Sequence, residues 1–242
     1  YLPDTNILLS RFLSEEWIAE VSDFMRIRDE TDRRQALVRR AKAVHGDITF
    51  RILCDPRFDY ARAEKSVRQV SESVIVFEEQ GEDGLRLRLT ASVPLEIQDG
   101  AAVAEVQLKQ GEHATFVLDE WSGEEAPDAC FPSRAFKQTA NFWRDWISRS
   151  NYRGRWREQV DRSALSLKLL TSQDYGSIIA APCFGFPNEI GGERNWDYRF
   201  TWIRDASFTV YALMRLGYTE EAAAFMKWLE KHCANAEQDH HL

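Results

Sequence analysis

The apolar positions of this chain change their period once, after Pro127, and that change limits the fold to a β half followed by an α half. Before it, Leu85 to Leu89 reads LRLRL, a strict alternation that suits a half-buried strand. Ile48, Phe50, Ile52 and Cys54 alternate with polar or less buried neighbours, and Val74 to Phe77 is a short β-branched and aromatic run. Val106 and Leu108 alternate with Gln107 and Lys109, and Thr115 to Leu118 follow. Turn signals at Asp83-Gly84, Asp99-Gly100 and Gly111 separate these runs. Many short strands at such spacing predict an antiparallel sandwich or barrel.

After Pro127 the spacing is helical. Phe136, Ala140, Trp143 and Ile147 mark a first helix that stops before Asn151 to Gly154, and Val160, Ala164, Leu167 and Leu170 mark a second. Asp174 to Trp202 has no period and is rich in Gly, Pro and aromatic residues. A third helix is predicted over Asp205 to Leu216. Phe208, Val210, Tyr211, Leu213 and Leu216 make it apolar on most faces, which predicts burial on more than one side. Gly217 is its stop. Thr219 caps a fourth helix, Glu220 and Glu221 suit its positive end, and Ala222, Phe225, Leu229 and His232 form its core stripe. Runs of strands followed by runs of helices indicate two domains rather than a doubly wound sheet.

Composition narrows the function classes. At 242 residues and 44% hydrophobic, the chain buries a core without difficulty. Lys plus Arg total 31 against 39 Asp plus Glu, a net charge of −8 that argues against a nucleic-acid surface. The Arg-rich stretch Arg33 to Arg40 reads as a solvated strand face. No apolar run approaches the roughly 20 residues of a membrane-spanning helix. Cys54, Cys130, Cys183 and Cys233 form no CxxC pair, which points to free thiols in a reducing compartment and gives cytoplasm as the expected location.

The densest chemistry lies in Ile190 to Asp205, IGGERNWDYRFTWIRD. A long aperiodic loop this aromatic, inside a compact domain, is a candidate site. Asp205, taken alone, reads as a first-turn acid stabilised by helix amides. Beside Arg204 it has a second reading. A carboxylate accepts two hydroxyl hydrogen bonds and a guanidinium donates in a fixed fork, a combination suited to adjacent hydroxyls of a pyranose ring. Trp202 and Tyr198 are suited to supply an apolar face for the sugar and a hydroxyl at its rim, with core packing as the alternative for both. Asp197 and Arg199 read as a structural ion pair. His232 reads as a core or boundary residue, and His240 and His241 lie at a terminus that reads as frayed, with metal binding as the alternative. Cys183 has no assignable His or Asp partner, and no phosphate-binding glycine loop is present.

Several stretches resemble glycoside hydrolase family 15, the glucoamylase and trehalase-like enzymes. In the helical half these are RSALSLKLL, IIAAP and NEIGGERNWDYRFTWIRDASFTVYALMRLGY. In the β half YLPDTNILLSRF, EVSDFM and DPRFDYARA resemble the family's bacterial-type N-terminal β-sandwich. The resemblance implies a partial antiparallel β-sandwich over residues 1–128 and a connecting helix over 129–154. Residues 155–242 would then hold the first helices of a truncated (α/α)6 barrel. By motif position, Arg204 and Asp205 would hold hydroxyls of the terminal glucose, Trp202 would line the pocket and Tyr198 would sit near the reacting carbon. The implied reaction is inverting hydrolysis of an α-glucoside from its non-reducing end, with no metal or organic cofactor. The implied partner is a small oligosaccharide or disaccharide, with no nucleic acid and no membrane.

An inverting glycosidase needs two carboxyls roughly 6.5–9.5 Å apart, one as acid and one as base. The family's two Glu residues lie later in the barrel than Leu242, and Glu189 and Glu193 match neither motif. The chain therefore reads as truncated at both ends and inactive alone, its helical half poorly stable with apolar faces uncovered. A non-catalytic sugar-binding protein or a regulatory scaffold on the same fold is the alternative.

Overall fold

The structure is a computed structural model that describes residues 1–28, 32–81, 84–182 and 187–239. The chain divides into two compact units, Tyr1–Phe142 and Trp143–Leu242.

Among its described residues the first unit contains ten strands: β1 Leu8–Leu13, β2 Ile18–Met25, β3 Ala36–His45, β4 Ile48–Cys54, β5 Lys65–Ser71, β6 Val74–Glu79, β7 Arg86–Ala91, β8 Glu96–Gln98, β9 Ala101–Leu108 and β10 His113–Glu120. Seven form one sheet in the order β1-β2-β3-β10-β7-β6-β5, and three form a second in the order β4-β9-β8. The strand pairs are antiparallel. β3 and β10 pair in the large sheet, while their direct continuations β4 and β9 pair in the small one. Two neighbouring strands thus cross between the sheets together and close one corner of a sandwich.

Alternation sets the faces. Ile75, Phe77, Leu89 and Phe116 point from the large sheet into the core shared with β4 and β9, where Ile48, Phe50, Ile52, Ala102 and Ala104 meet them. Ile75 stands opposite Leu89, and Leu89 opposite Leu118, so a one-residue slip would turn this whole set outward. On the other face, Phe24, Ala36, Val38 and Val117 pack against Phe131, Ala135 and Ala140. These last three belong to helix α1, Phe131–Ser148, which is why the division between the units falls inside that helix and not at the change of period. Arg88 and Asp119 lie buried in the large sheet as a two-point pair, with Arg88 Nε 3.1 Å from Oδ1 and Nη2 2.6 Å from Oδ2.

The Arg-rich stretch is not one solvated face. Arg39 pairs with Asp23 at 2.7 Å on the exposed side, whereas Arg34 approaches the buried Asp119 at 3.6 Å. Arg40 Nε is buried with no hydrogen-bond partner among the described residues. Arg39 and Arg40 are neighbouring positions of β3 and point to opposite faces, so the pleat divides the like charges there, while Arg34 precedes the strand.

The second unit holds the end of α1, then α2 Arg157–Leu169, α3 Ile203–Arg215 and α4 Thr219–Asp239. Leu216, Gly217 and Tyr218 turn α3 into α4, with Gly217 at φ 96°, as its predicted stop requires. Ile178, Ala206 and Phe225 form a small core with Leu170, Val210, Trp228 and Leu229 beside it.

Two expectations fail in this unit. Helix α3 is buried on one side only: Ala206, Thr209 and Leu213 are inside, while Phe208 is 72% and Tyr211 64% exposed. Phe208, Tyr211 and Met214 recur at three-residue spacing and share the outward face. His232 is exposed and not part of the core stripe. Its Nδ1 lies 2.8 Å from the carbonyl of Trp228, so the ring is turned back along its own helix.

No helix among the described residues is long and apolar enough to cross a membrane. Cys54, Cys130 and Cys233 are free thiols; Cys183, His240 and His241 lie outside the described residues.

Candidate functional site

The candidate loop is framed by α2 and α3. After α2 the chain makes a short hairpin in which Thr171 bridges Ile178. Gly176 closes this hairpin at φ 77°, and a Cβ built there would lie 2.6 Å from the carbonyl oxygen of Ala224. Only glycine suits both that dihedral and that approach. The extended segment beyond the hairpin then holds the loop: the amide of Ala180 donates to Tyr198 O at 3.0 Å and to Phe200 O at 3.1 Å, and that of Ala181 to Tyr198 O at 3.2 Å.

The four residues singled out from the sequence come together. Tyr198 and Trp202 stack with ring centroids 5.8 Å apart and planes 18° from parallel. The Arg204 guanidinium carbon lies 5.6 Å from the Trp202 ring centroid. Arg204 Nη2 donates to Asp205 Oδ2 at 3.1 Å. Trp202 is the N-cap residue of α3 and makes no side-chain cap bond; its carbonyl accepts the amide of Ala206 at 2.9 Å. Asp205 therefore sits in the first turn. Among the described residues its hydrogen-bond partner is Arg204 rather than a helix amide, which leaves most of its lone pairs available.

Asp197 and Arg199 form the ion pair expected of them, with Nη2 2.6 Å from Oδ2. The Arg199 side chain, joined by the Arg199 amide, holds the Asp197 carboxyl below the usual Asp range. This pair is satisfied locally and leaves the Arg204–Asp205 pair as the polar end of the aromatic group.

Sequence reasoning passed over two residues. Trp196 stands edge-on to Trp202, with centroids 5.9 Å apart and planes at 86°, adding a third ring. The carboxamide of Asn195 accepts the Glu189 amide at 3.1 Å and donates to Glu189 O at 2.8 Å and Gly192 O at 2.9 Å. Trp196 carried a signal, its place in an aromatic-rich loop. The role of Asn195 carried none, because its partners are main-chain atoms. Among the described residues no group of three or more His, Cys, Asp or Glu gathers as a metal site.

The fold and loop define a class: an antiparallel β unit followed by paired helices, with aromatic rings grouped around an Arg–Asp pair at a helix head. Residues 154–242 match the profile of glycosyl hydrolases family 15. A trehalase of Mycolicibacterium smegmatis is 34% identical over 205 residues, 82% of this chain and 30% of that protein. A trehalase of Thermoplasma volcanium is 49% identical over 90 residues, 37% of this chain and 14% of that protein. Trehalase 1 of Sulfolobus acidocaldarius is 27% identical over 225 residues, 93% of this chain and 37% of that protein. The chain belongs to glycosyl hydrolases family 15, as its motifs led us to expect. It spans about 30% of the length of the mycobacterial relatives it matches.

Proposed function

We propose that this chain is part of an inverting glycoside hydrolase that releases glucose from the non-reducing end of an α-glucoside. We further propose that α,α-trehalose is the substrate, with α-1,4-glucans the competing class. In this reading residues 1–128 are the β-domain, 129–154 the connection and 155–242 the opening of an (α/α)6 barrel.

The observation that carries the reading is the contiguous group Tyr198–Trp202–Arg204–Asp205 at the head of α3. Its carboxylate and guanidinium offer an acceptor and donors to neighbouring ring hydroxyls, and its rings offer an apolar surface to the C–H face. The choice of trehalose rests on the relatives, which are trehalases. The reaction needs a carboxylic acid to protonate the leaving oxygen and a carboxylate to deprotonate water at C1. We assign that pair to residues outside 1–242.

The test is glucose release from trehalose and from maltose by the full-length protein that contains this chain, with the first-formed anomer read by NMR. Inversion yields β-glucose from the attacked ring. Asp205→Asn removes a charged acceptor and is expected to lower kcat/KM about 10- to 100-fold. Equal constants for wild type and Asp205→Asn would sink the clamp assignment. Glucoside binding without turnover would instead favour a non-catalytic sugar-binding protein.

A further inference from the structure

We propose that Asn195 is the positioning residue of the sugar clamp, fixing the direction in which Trp196 and Tyr198 enter it; this rests on the functional reading above. The Asn195 carboxamide is engaged at both ends by one turn of main chain. Its oxygen takes the Glu189 amide at 3.1 Å, and its nitrogen donates to the carbonyls of Glu189 at 2.8 Å and Gly192 at 2.9 Å. The turn is closed by the Gly192 amide on the same Glu189 carbonyl at 3.0 Å, with Gly191 at φ 76°. Binding both the N–H and the C=O of one residue fixes orientation as well as distance, as a strand partner does.

The consequence falls on the next three residues. Asn195 anchors one end of the segment, and the amides of Ala180 and Ala181 anchor the other at Tyr198 and Phe200. Between Asn195 and the second anchor stands Trp196, edge-on to Trp202, and Tyr198, at that second anchor, stacks on the same ring. Asn195 is itself solvent-exposed, so hydrogen-bond geometry and not burial holds the anchor. The donor–acceptor pattern also makes the residue type specific. Aspartate has nearly the same shape but turns an acceptor toward two carbonyls, and alanine removes all three bonds.

The experiment uses the full-length protein with 5-fluorotryptophan incorporated, the Trp196 resonance being assigned with Trp196→Phe. At neutral pH, Asn195→Asp is expected to lower kcat/KM for trehalose about tenfold or more, through misplacement of the clamp. It is also expected to broaden or split the Trp196 signal. The carboxyl introduced by this change faces two carbonyls and so favours its protonated form, which donates to one of them. Part of the loss is therefore recovered as pH falls, relative to wild type at the same pH. Asn195→Ala is expected to show the loss without the recovery. If wild type is active and both variants match it in constants and in the Trp196 signal, the inference is wrong and the functional reading stands. If wild type neither binds nor cleaves α-glucosides, the functional reading fails and the inference falls with it.

Discussion

The indole N–H of Trp146 donates to the Glu221 carboxylate at 2.7 Å across 75 residues of chain, and Lys168 Nζ lies 2.9 Å from the same oxygen. The contact joins the last turns of α1, the end of α2 and the first turn of α4. Tyr218 stacks on the same indole with ring centroids 4.0 Å apart. Burial, which alone would push the Glu221 carboxyl up, is outweighed by the Trp146 and Lys168 hydrogen bonds, and the group is held below the usual Glu range.

A folded-state pKa below the unfolded one means that this contribution is complete above the ordinary Glu range and is lost as pH falls through the folded value. The second unit is therefore expected to lose stability in acid. Glu221→Gln keeps an acceptor for Trp146 and leaves Lys168 without its counter-charge, at a cost of about 2 kcal/mol near neutral pH. The two proteins should converge in acid. Urea unfolding followed by tryptophan fluorescence across pH checks this, and parallel curves would show that Glu221 is not the acid-sensitive group.

In the β unit, Arg88 and Asp119 have side chains 3% and 0% exposed. Removing one partner strands a buried charge, so Asp119→Ala is expected to cost about 3–5 kcal/mol. Replacing both with apolar residues, Arg88→Met with Asp119→Leu, should recover most of that loss, because the desolvation cost disappears with the charges. A double-mutant cycle on denaturation midpoints is the measurement, and additive losses would mean the pair is not coupled.

Gly176→Ala tests the hairpin beneath the site. A Cβ there meets the Ala224 carbonyl at 2.6 Å and also occupies a left-handed dihedral. A loss of about 1–3 kcal/mol is expected in thermal unfolding of the second unit. A neutral result would place the hairpin away from α4 in solution.

Phe208 and Tyr211 face outward in the 242-residue chain. Phe208→Ser with Tyr211→Ser should leave its stability within about 0.5 kcal/mol while reducing self-association, since neither side chain is packed. Sedimentation velocity beside urea titration reads both effects. A large loss of stability would show that the two rings are covered.

How far the sequence could be read is clearest at particular positions. Ile48 to Cys54 announced strand β4 because alternation is a property of the strand itself. The Asp99-Gly100 turn was legible because both residues adopt positive φ, at 51° and 76°, as Asp and Gly tolerate. Tyr198, Trp202, Arg204 and Asp205 could be singled out because their side-chain chemistry and their place in a family-like motif are local to the sequence, whereas their mutual contacts are seen in the structure. Phe208 and Tyr211 were misjudged for the opposite reason. Apolar residues on most faces of a helix indicate what it can bury, and nothing local says which faces find a partner.

The β half, the helical half, the turns, and the loop carrying aromatic, guanidinium and carboxylate groups can thus all be read along the chain. Each follows from dihedral preference or from spacing within a few residues. Tertiary structure alone decided that Trp146 meets Glu221, that Arg88 lies against Asp119, and that Asn195 closes on the main chain of Glu189. Those contacts join atoms distant along the chain, or involve main-chain groups every residue shares. Periodicity records which face of an element is apolar and carries no record of what that face will touch.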